Sequence, residues 1–183
     1  MKPVDSVRRA SHRRRRRGSE LLEFSLVMLP LLSMMTVLID TAYAIYAESS
    51  LQRAVRLGVR TGVTLTASQM GAGACLTDTV KNLVQDNAFG ILHGAGIGDV
   101  KVNYYLPPAP NSAAPATDVS TQPSGNAPGN IMKVSVQGVS LVPLMPRIFS
   151  DKLAIDNSPL VVNVNSADII EPSRNPPCIG TAP

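Results

Sequence analysis

The stretch RRRRRGSELLEFSLVMLPLLSMMTVLID, Arg13 to Asp40, decides how this chain is read. Five arginines, Arg13, Arg14, Arg15, Arg16 and Arg17, face an apolar run across a single glycine, Gly18. From Leu21 to Ile39 the polar interruptions are Glu23, Ser25, Ser33 and Thr36. As a helix this run rises ~29 Å at 1.5 Å per residue, the thickness of a bilayer's hydrocarbon core. Lys and Arg flanking such a helix stay on the cytoplasmic side, so the arginines act as a topology signal: N-terminus inside, body outside. Pro30 would kink a water-soluble helix, but membrane helices tolerate it.

The charge outside this stretch is distributed unevenly. The net charge of the 183 residues is +4, yet residues 1–18 alone carry eight Lys/Arg and one acid. The remainder carries nine Lys/Arg against twelve Asp/Glu, a mildly acidic body. That balance, with four Tyr, three Phe and no Trp, excludes a nucleic-acid binder, which needs a basic face and stacking aromatics. The arginine run next to a membrane helix reads as topology, with anionic lipid contact as its side effect. Residues 1–17, polar and self-repelling, are expected to be disordered and cytoplasmic.

Helical periodicity continues past the span. Tyr43, Tyr46, Ser50/Leu51, Ala54, Leu57/Gly58, Thr61 and Leu65 recur at about 3.6-residue spacing, with Arg53, Arg56 and Arg60 on another face. One long helix is expected from about Ser19 to the late sixties, ended by Gly71 and Gly73. A shorter helix follows, capped by Thr77 or Asp78, with Val80, Leu83, Val84, Ala88 and Ile91 as its apolar stripe and Gly90 or Gly94 as its stop. Val100, Val102, Tyr104 and Leu106 alternate as a strand, Ile131–Leu141 forms a second strand bulged at Gly138, and Leu160, Val162 and Val164 form a third. Residues 107–129, rich in Pro, Ala, Asn and Ser, read as a flexible loop or disordered insertion. Pro143–Asp151 reads as a turn with a short helix. The expected fold is α+β: a transmembrane helix over residues 19–40, then a periplasmic domain over 41–183 with a short helix and about three antiparallel strands packed on the water-exposed half of the long helix.

Glu23 is the residue that the membrane reading must explain. A charge at the centre of a membrane helix costs ~2.5–3.5 kcal/mol on insertion scales, and less near an end. Glu23 is either an interfacial acid beside the arginines or a functional one. A cut after Gly18 would make Ser19 the new terminus, with a positive α-amine one helical turn from Glu23. In a low dielectric each charge finds its best partner in the other, on its own chain or on a neighbouring subunit.

RRRRRG-SELLEF followed by an apolar helix resembles the prepilin leaders of tight-adherence (Tad) pili, in which G-x-x-x-x-E-[FY] marks the cut, here Gly18, Ser19, Glu23 and Phe24. The downstream order resembles the TadE-like minor pseudopilins: EFSLVMLPLL with its mid-helix proline, SLQRAVRLGVRTG as the continuing helix, and strands around VPLMP. The likeness covers roughly residues 13–66 and is absent from 107–129. Glu20, a second acid, departs from the usual apolar start. The resemblance implies cleavage by a prepilin peptidase after Gly18, insertion in the inner membrane, and a role in pilus biogenesis with other pilins, pseudopilins and the inner-membrane assembly platform. Phe24, Leu26, Leu29 and Pro30 are the expected helix-packing residues.

Little else in the chain carries chemistry. Cys75 and Cys178 lie outside the membrane on this topology, where disulfides are permitted, so an internal bridge is expected ahead of free thiols or an intermolecular link. His12 and His93 have no ligand-spaced neighbours, so no metal or other cofactor is expected. Gly94–Gly98 lacks the phosphate-loop pattern, and no nucleophilic triad can be assembled. The expected action is assembly rather than catalysis. Two alternatives stand beside it: a membrane-tethered periplasmic binding or adhesin module, and a protein secreted after an A-x-A-like site ending at Ala44.

Overall fold

A computed structural model describes residues 4–70, 73–92, 100–142, 159–172 and 178–180, with side chains from residue 20 onward. Its elements are α1 (Val4–Thr64), α2 (Leu76–Asn87), β1 (Val100–Leu106), β2 (Thr117–Asp118), β3 (Ile131–Leu141) and β4 (Leu160–Ile169). The α+β class is as expected. The sheet has four strands rather than three, in the order β2-β1-β3-β4, with every pair antiparallel.

Helix α1 departs from expectation at both ends. It begins at Val4, inside the arm expected to be disordered. Between Val4 and Arg17 there is no Gly or Pro, and Arg and Ala are strong helix formers. The apolar segment supplies the costly nucleus, so each added residue needs only propagation. At the other end α1 stops at Thr64, before Gly71 and Gly73. Val63 and Thr64 are β-branched and weaken the last turn. Thr64 Oγ1 also donates back to the Arg60 and Thr61 carbonyls. One 3-10 turn, Ala67–Gln69, follows, with the Thr66 N–H donating to Gln69 Oε1 at 3.0 Å.

The chain forms two compact units that divide within α1 at Tyr43 and Ala44. The first contains the apolar segment. The second runs over Ala44–Val142 and from Ser158 onward, and it holds the core.

In the second unit α1 contributes Ala47, Leu51, Ala54, Val55, Val59 and Val63 to the core, and α2 contributes Leu76, Val80 and Val84. Alternation in the strands turns Val102 and Tyr104 of β1, Met132 and Val134 of β3, and Val162 and Val164 of β4 to the same interior. Full burial of an aliphatic side chain such as Val102, Met132 or Val134 contributes ~1.5–3 kcal/mol relative to exposure. Gly58 and Gly62 continue the small-residue stripe begun by Ala54 at i+4 spacing. A Cβ on Gly58 would run into Val84 Cγ2, and one on Gly62 would lie 2.8 Å from both Met132 Sδ and Val80 Cγ2. The two glycines therefore let α2 and β3 close on α1.

The β3 bulge falls where expected. Register shifts between Val136 and Val139, and Gly138, at φ 75°, takes the left-handed conformation that glycine adopts without strain. Its N–H donates to Asn163 Oδ1 at 2.9 Å.

The segment 107–129, expected to pack little, supplies the fourth strand. Tyr105 pairs with Asp118 and Leu106 with Thr117. Beyond β2 the Tyr104 N–H donates to Ser120 Oγ at 2.9 Å, and the Ser120 N–H donates to Asp118 Oδ1. The Ser120 hydroxyl donates to Asp118 Oδ1 as well, and this bond, with that of the Ser120 N–H, holds the Asp118 carboxyl below the usual carboxylate range. Asn130 then clamps the following turns through the Ser124 and Gly125 carbonyls. Backbone and short polar side chains do the pairing here, which is why composition hid it.

Helix α2 starts at Leu76 with Cys75 as its N-cap, rather than at Thr77 or Asp78, and Cys75 offers no side-chain cap. The amides of its first turn need acceptors. The C-terminal tail provides them: the Leu76 N–H donates to the Cys178 carbonyl at 2.9 Å and the Thr77 N–H to the Ile179 carbonyl at 3.0 Å. A Cys75–Cys178 disulfide fixes this contact across a sequence separation of 103. Changing both cysteines to serine is expected to lower stability by about 2–4 kcal/mol. Thermal unfolding of the full chain in detergent measures the loss. Faster hydrogen exchange at the Leu76 and Thr77 amides distinguishes tail release from a general loosening. Gly71, His93, Gly94–Gly98 and the expected turn and short helix of Pro143–Asp151 fall outside the described residues.

Candidate functional site

Arg13, Arg14, Arg15, Arg16, Arg17, Gly18 and Ser19 all lie within α1, and their side chains are outside the description. Glu20 and Glu23 follow on the same helix, exposed, with Phe24 beside them. The apolar residues after Glu23 are exposed on every face. Leu26 is 76% exposed, and Leu21, Leu22, Leu29, Leu31, Met34 and Leu38 are all exposed as well. Soluble proteins rarely present so large a continuous apolar surface to water; it calls for lipid or partner helices. Three hydroxyl side chains in and just after the segment bond back to the helix. Ser25 donates to the Leu22 carbonyl, Thr36 to the Ser33 carbonyl and Thr41 to the Val37 carbonyl, at 2.8–2.9 Å. Inside a bilayer such self-satisfaction is required. Pro30 sits within the helix without ending it.

A second feature lies in the domain unit. Arg53, Arg56, Leu57 and Arg60 of α1 line a cleft of about 280 Å³ with Asn87 and Phe89, which stand at the end of α2. Sequence periodicity placed the three arginines on one face but gave no hint of Phe89. Phe89 and Gly90 have φ of 49° and 77°, and the Ile91 N–H donates to the Ala88 carbonyl at 3.0 Å, so residues 88–91 form a tight turn with two left-handed central residues. Such turns take Asn or Gly; a bulky side chain in this conformation costs ~1–2 kcal/mol. The ring is nevertheless 60% exposed. Among the described residues, no ion pair or hydrogen bond engages the three guanidinium groups. Among the same residues, no three His, Cys, Asp or Glu side chains come together as a metal site.

These observations define a class: an α+β domain borne on a helix whose N-terminal part is long and apolar enough to cross a membrane. Residues 18–60 match the sequence model of the TadE-like protein family, which bears out the TadE-like resemblance over the long helix and suggests a component associated with the Tad pilus. The match starts at Gly18 and ends inside α1, so it covers the apolar segment and the first part of the domain helix. No curated protein and no solved structure matches the chain.

Proposed function

We propose that this chain is a minor pseudopilin of a tight-adherence pilus, cut by a prepilin peptidase after Gly18 and packed through its N-terminal helix into or beneath the fibre. The observation that carries this reading is a coincidence of position. The family match opens at Gly18, the junction where the basic arm ends, five residues before Glu23 and six before Phe24. The basic arm lies outside the match, as a removable leader would.

The helix gives a physical reason for a cut at this point. Gly18 lies inside α1, where glycine costs ~1 kcal/mol relative to alanine, so the helix opens most readily there. The exposed face of Phe24, Leu26 and Leu29 then supplies the apolar surface for packing against other pilin helices and the assembly platform in the inner membrane. The chain acts by assembly, with no catalysis and no cofactor. Release after Ala44 would divide α1 next to Ala47 and Leu51, two residues of the domain core. A tethered binding module has no need of a cut at Gly18.

N-terminal sequencing of the mature protein tests this. A start at Ser19 is expected; Met1 would favour a tether and Ile45 a secreted protein. Gly18→Ala is expected to leave the leader attached, seen as a shift in intact mass. A variant processed as efficiently as wild type would remove the case for this site.

A further inference from the structure

We propose that the cleft between Arg53, Arg56 and Arg60 of α1 and Phe89 is a docking site for an acidic segment of a partner protein, one that sets carboxylates around a single apolar side chain. Three features of the cleft point to this chemistry. Among the described residues the guanidiniums have no partner, so their bidentate donors are available to carboxylates. Leu57 and the exposed Phe89 ring give the cleft an apolar floor, which a simple solvated arginine face does not have. And Phe89 occupies a left-handed position that an asparagine or glycine would fill with less strain. A strained aromatic held in the open, beside unpaired cations, marks a place where function outweighs local comfort.

Size and composition select the occupant. About 280 Å³ accommodates one or two side chains, not a folded surface. Anionic lipid offers the same charge, but a headgroup presents no apolar side chain to meet Leu57 and Phe89. The cleft does not depend on where the leader is cut, and its test is separate from N-terminal sequencing.

The experiment uses the full chain in phosphatidylcholine nanodiscs and a fluorescent pentapeptide with two glutamates on each side of a single leucine. Its control carries glutamines instead. Anisotropy is expected to show the glutamate peptide binding at least about tenfold more tightly, about 1.4 kcal/mol. Added salt should weaken it. Arg56→Glu and Phe89→Asn should each remove most of that preference. Phe89→Asn should also hold or raise the thermal midpoint, because asparagine tolerates the left-handed conformation. Equal binding of the two peptides overturns the proposal. So does a clear fall in thermal midpoint for Phe89→Asn, which would make the ring a packing residue. Loss of peptide binding in phosphatidylglycerol nanodiscs would mark a lipid site, and self-association abolished by Arg56→Glu would mark a second copy of the chain; either result displaces the acidic segment.

Discussion

Leucine at Gly58 is expected to prevent the domain unit from folding, and even alanine there is expected to destabilise it. In an unhindered helix interior Gly→Ala gains ~0.5–1 kcal/mol from backbone entropy and propensity. At Gly58 the new methyl meets Val84 Cγ2, and Val84 is fully buried in α2. Valine in a helix is confined to essentially one rotamer, so it cannot turn aside. Overpacking of this kind costs ~1–3 kcal/mol, enough to reverse the sign for alanine and to overwhelm a small domain for leucine. The obstruction is a single methyl, so a double-mutant cycle isolates it. Val84→Ala alone should destabilise by leaving a cavity. Combined with Gly58→Ala it should recover part of both losses, a coupling of about 1 kcal/mol or more. Circular dichroism of the full chain in detergent gives the midpoints. A Gly58→Ala protein that melts above wild type would show that α1 and α2 do not approach this closely.

That same contact explains what the sequence could and could not disclose. Features encoded by neighbouring residues were legible. The apolar run Leu21–Ile39, the alternation of Val100, Val102 and Tyr104, and the bulge at Gly138 each rest on one local rule, a period or a conformation only glycine takes easily. The motif behind the proposed leader is a local spacing of the same kind, Gly18 to Glu23 and Phe24. Features decided by competition between local and distant terms were not. Helix at the basic arm depends on propagation from the apolar segment rather than on a pattern of its own. Strand β2 has two polar residues, Thr117 and Asp118, and is fixed by the Tyr104 backbone and Ser120. The start of α2 shifts to Cys75 because the capping groups come from Cys178 and Ile179, far away in the chain. The arginine cleft was half visible: Arg53, Arg56 and Arg60 share a helix face by arithmetic, while Phe89 reaches them only because Gly58 admits α2. An Ala-Phe-Gly-Ile sequence carries little of the Asn-Gly signal that announces such a turn.

Glu23→Ala is expected to insert in the membrane at least as well as wild type and yet fall out of assembled fibres. The carboxylate opposes insertion, by less than the ~2.5–3.5 kcal/mol of a mid-bilayer charge because it lies near the inner end of the span. On the proposed reading the cut uncovers the Ser19 α-amine one turn away, at roughly the 5–6 Å that separates i and i+4 side chains. Opposite charges at 6 Å attract by about 3 kcal/mol at an effective dielectric of 20. That is enough to offset the insertion cost, whether the amine is the chain's own or that of an adjacent helix. Pairing between subunits adds register, because two helices that slide out of step leave both charges without partners. Removing a single partner of a desolvated pair is costly, since it strands the other charge. Glu23→Gln, which keeps the shape and removes the charge, should therefore fail as alanine does. Glu23→Asp should retain part of the function, and Glu23→Lys, which sets two cations together, should be worst. The measurement is the fraction of mature protein in sheared fibres relative to the inner membrane, with N-terminal sequencing to show that each variant is still cut after Gly18. If Glu23→Gln enters fibres as efficiently as wild type while cleavage is unchanged, charge pairing is not what recruits this helix, and the acid has no role beyond recognition by the peptidase.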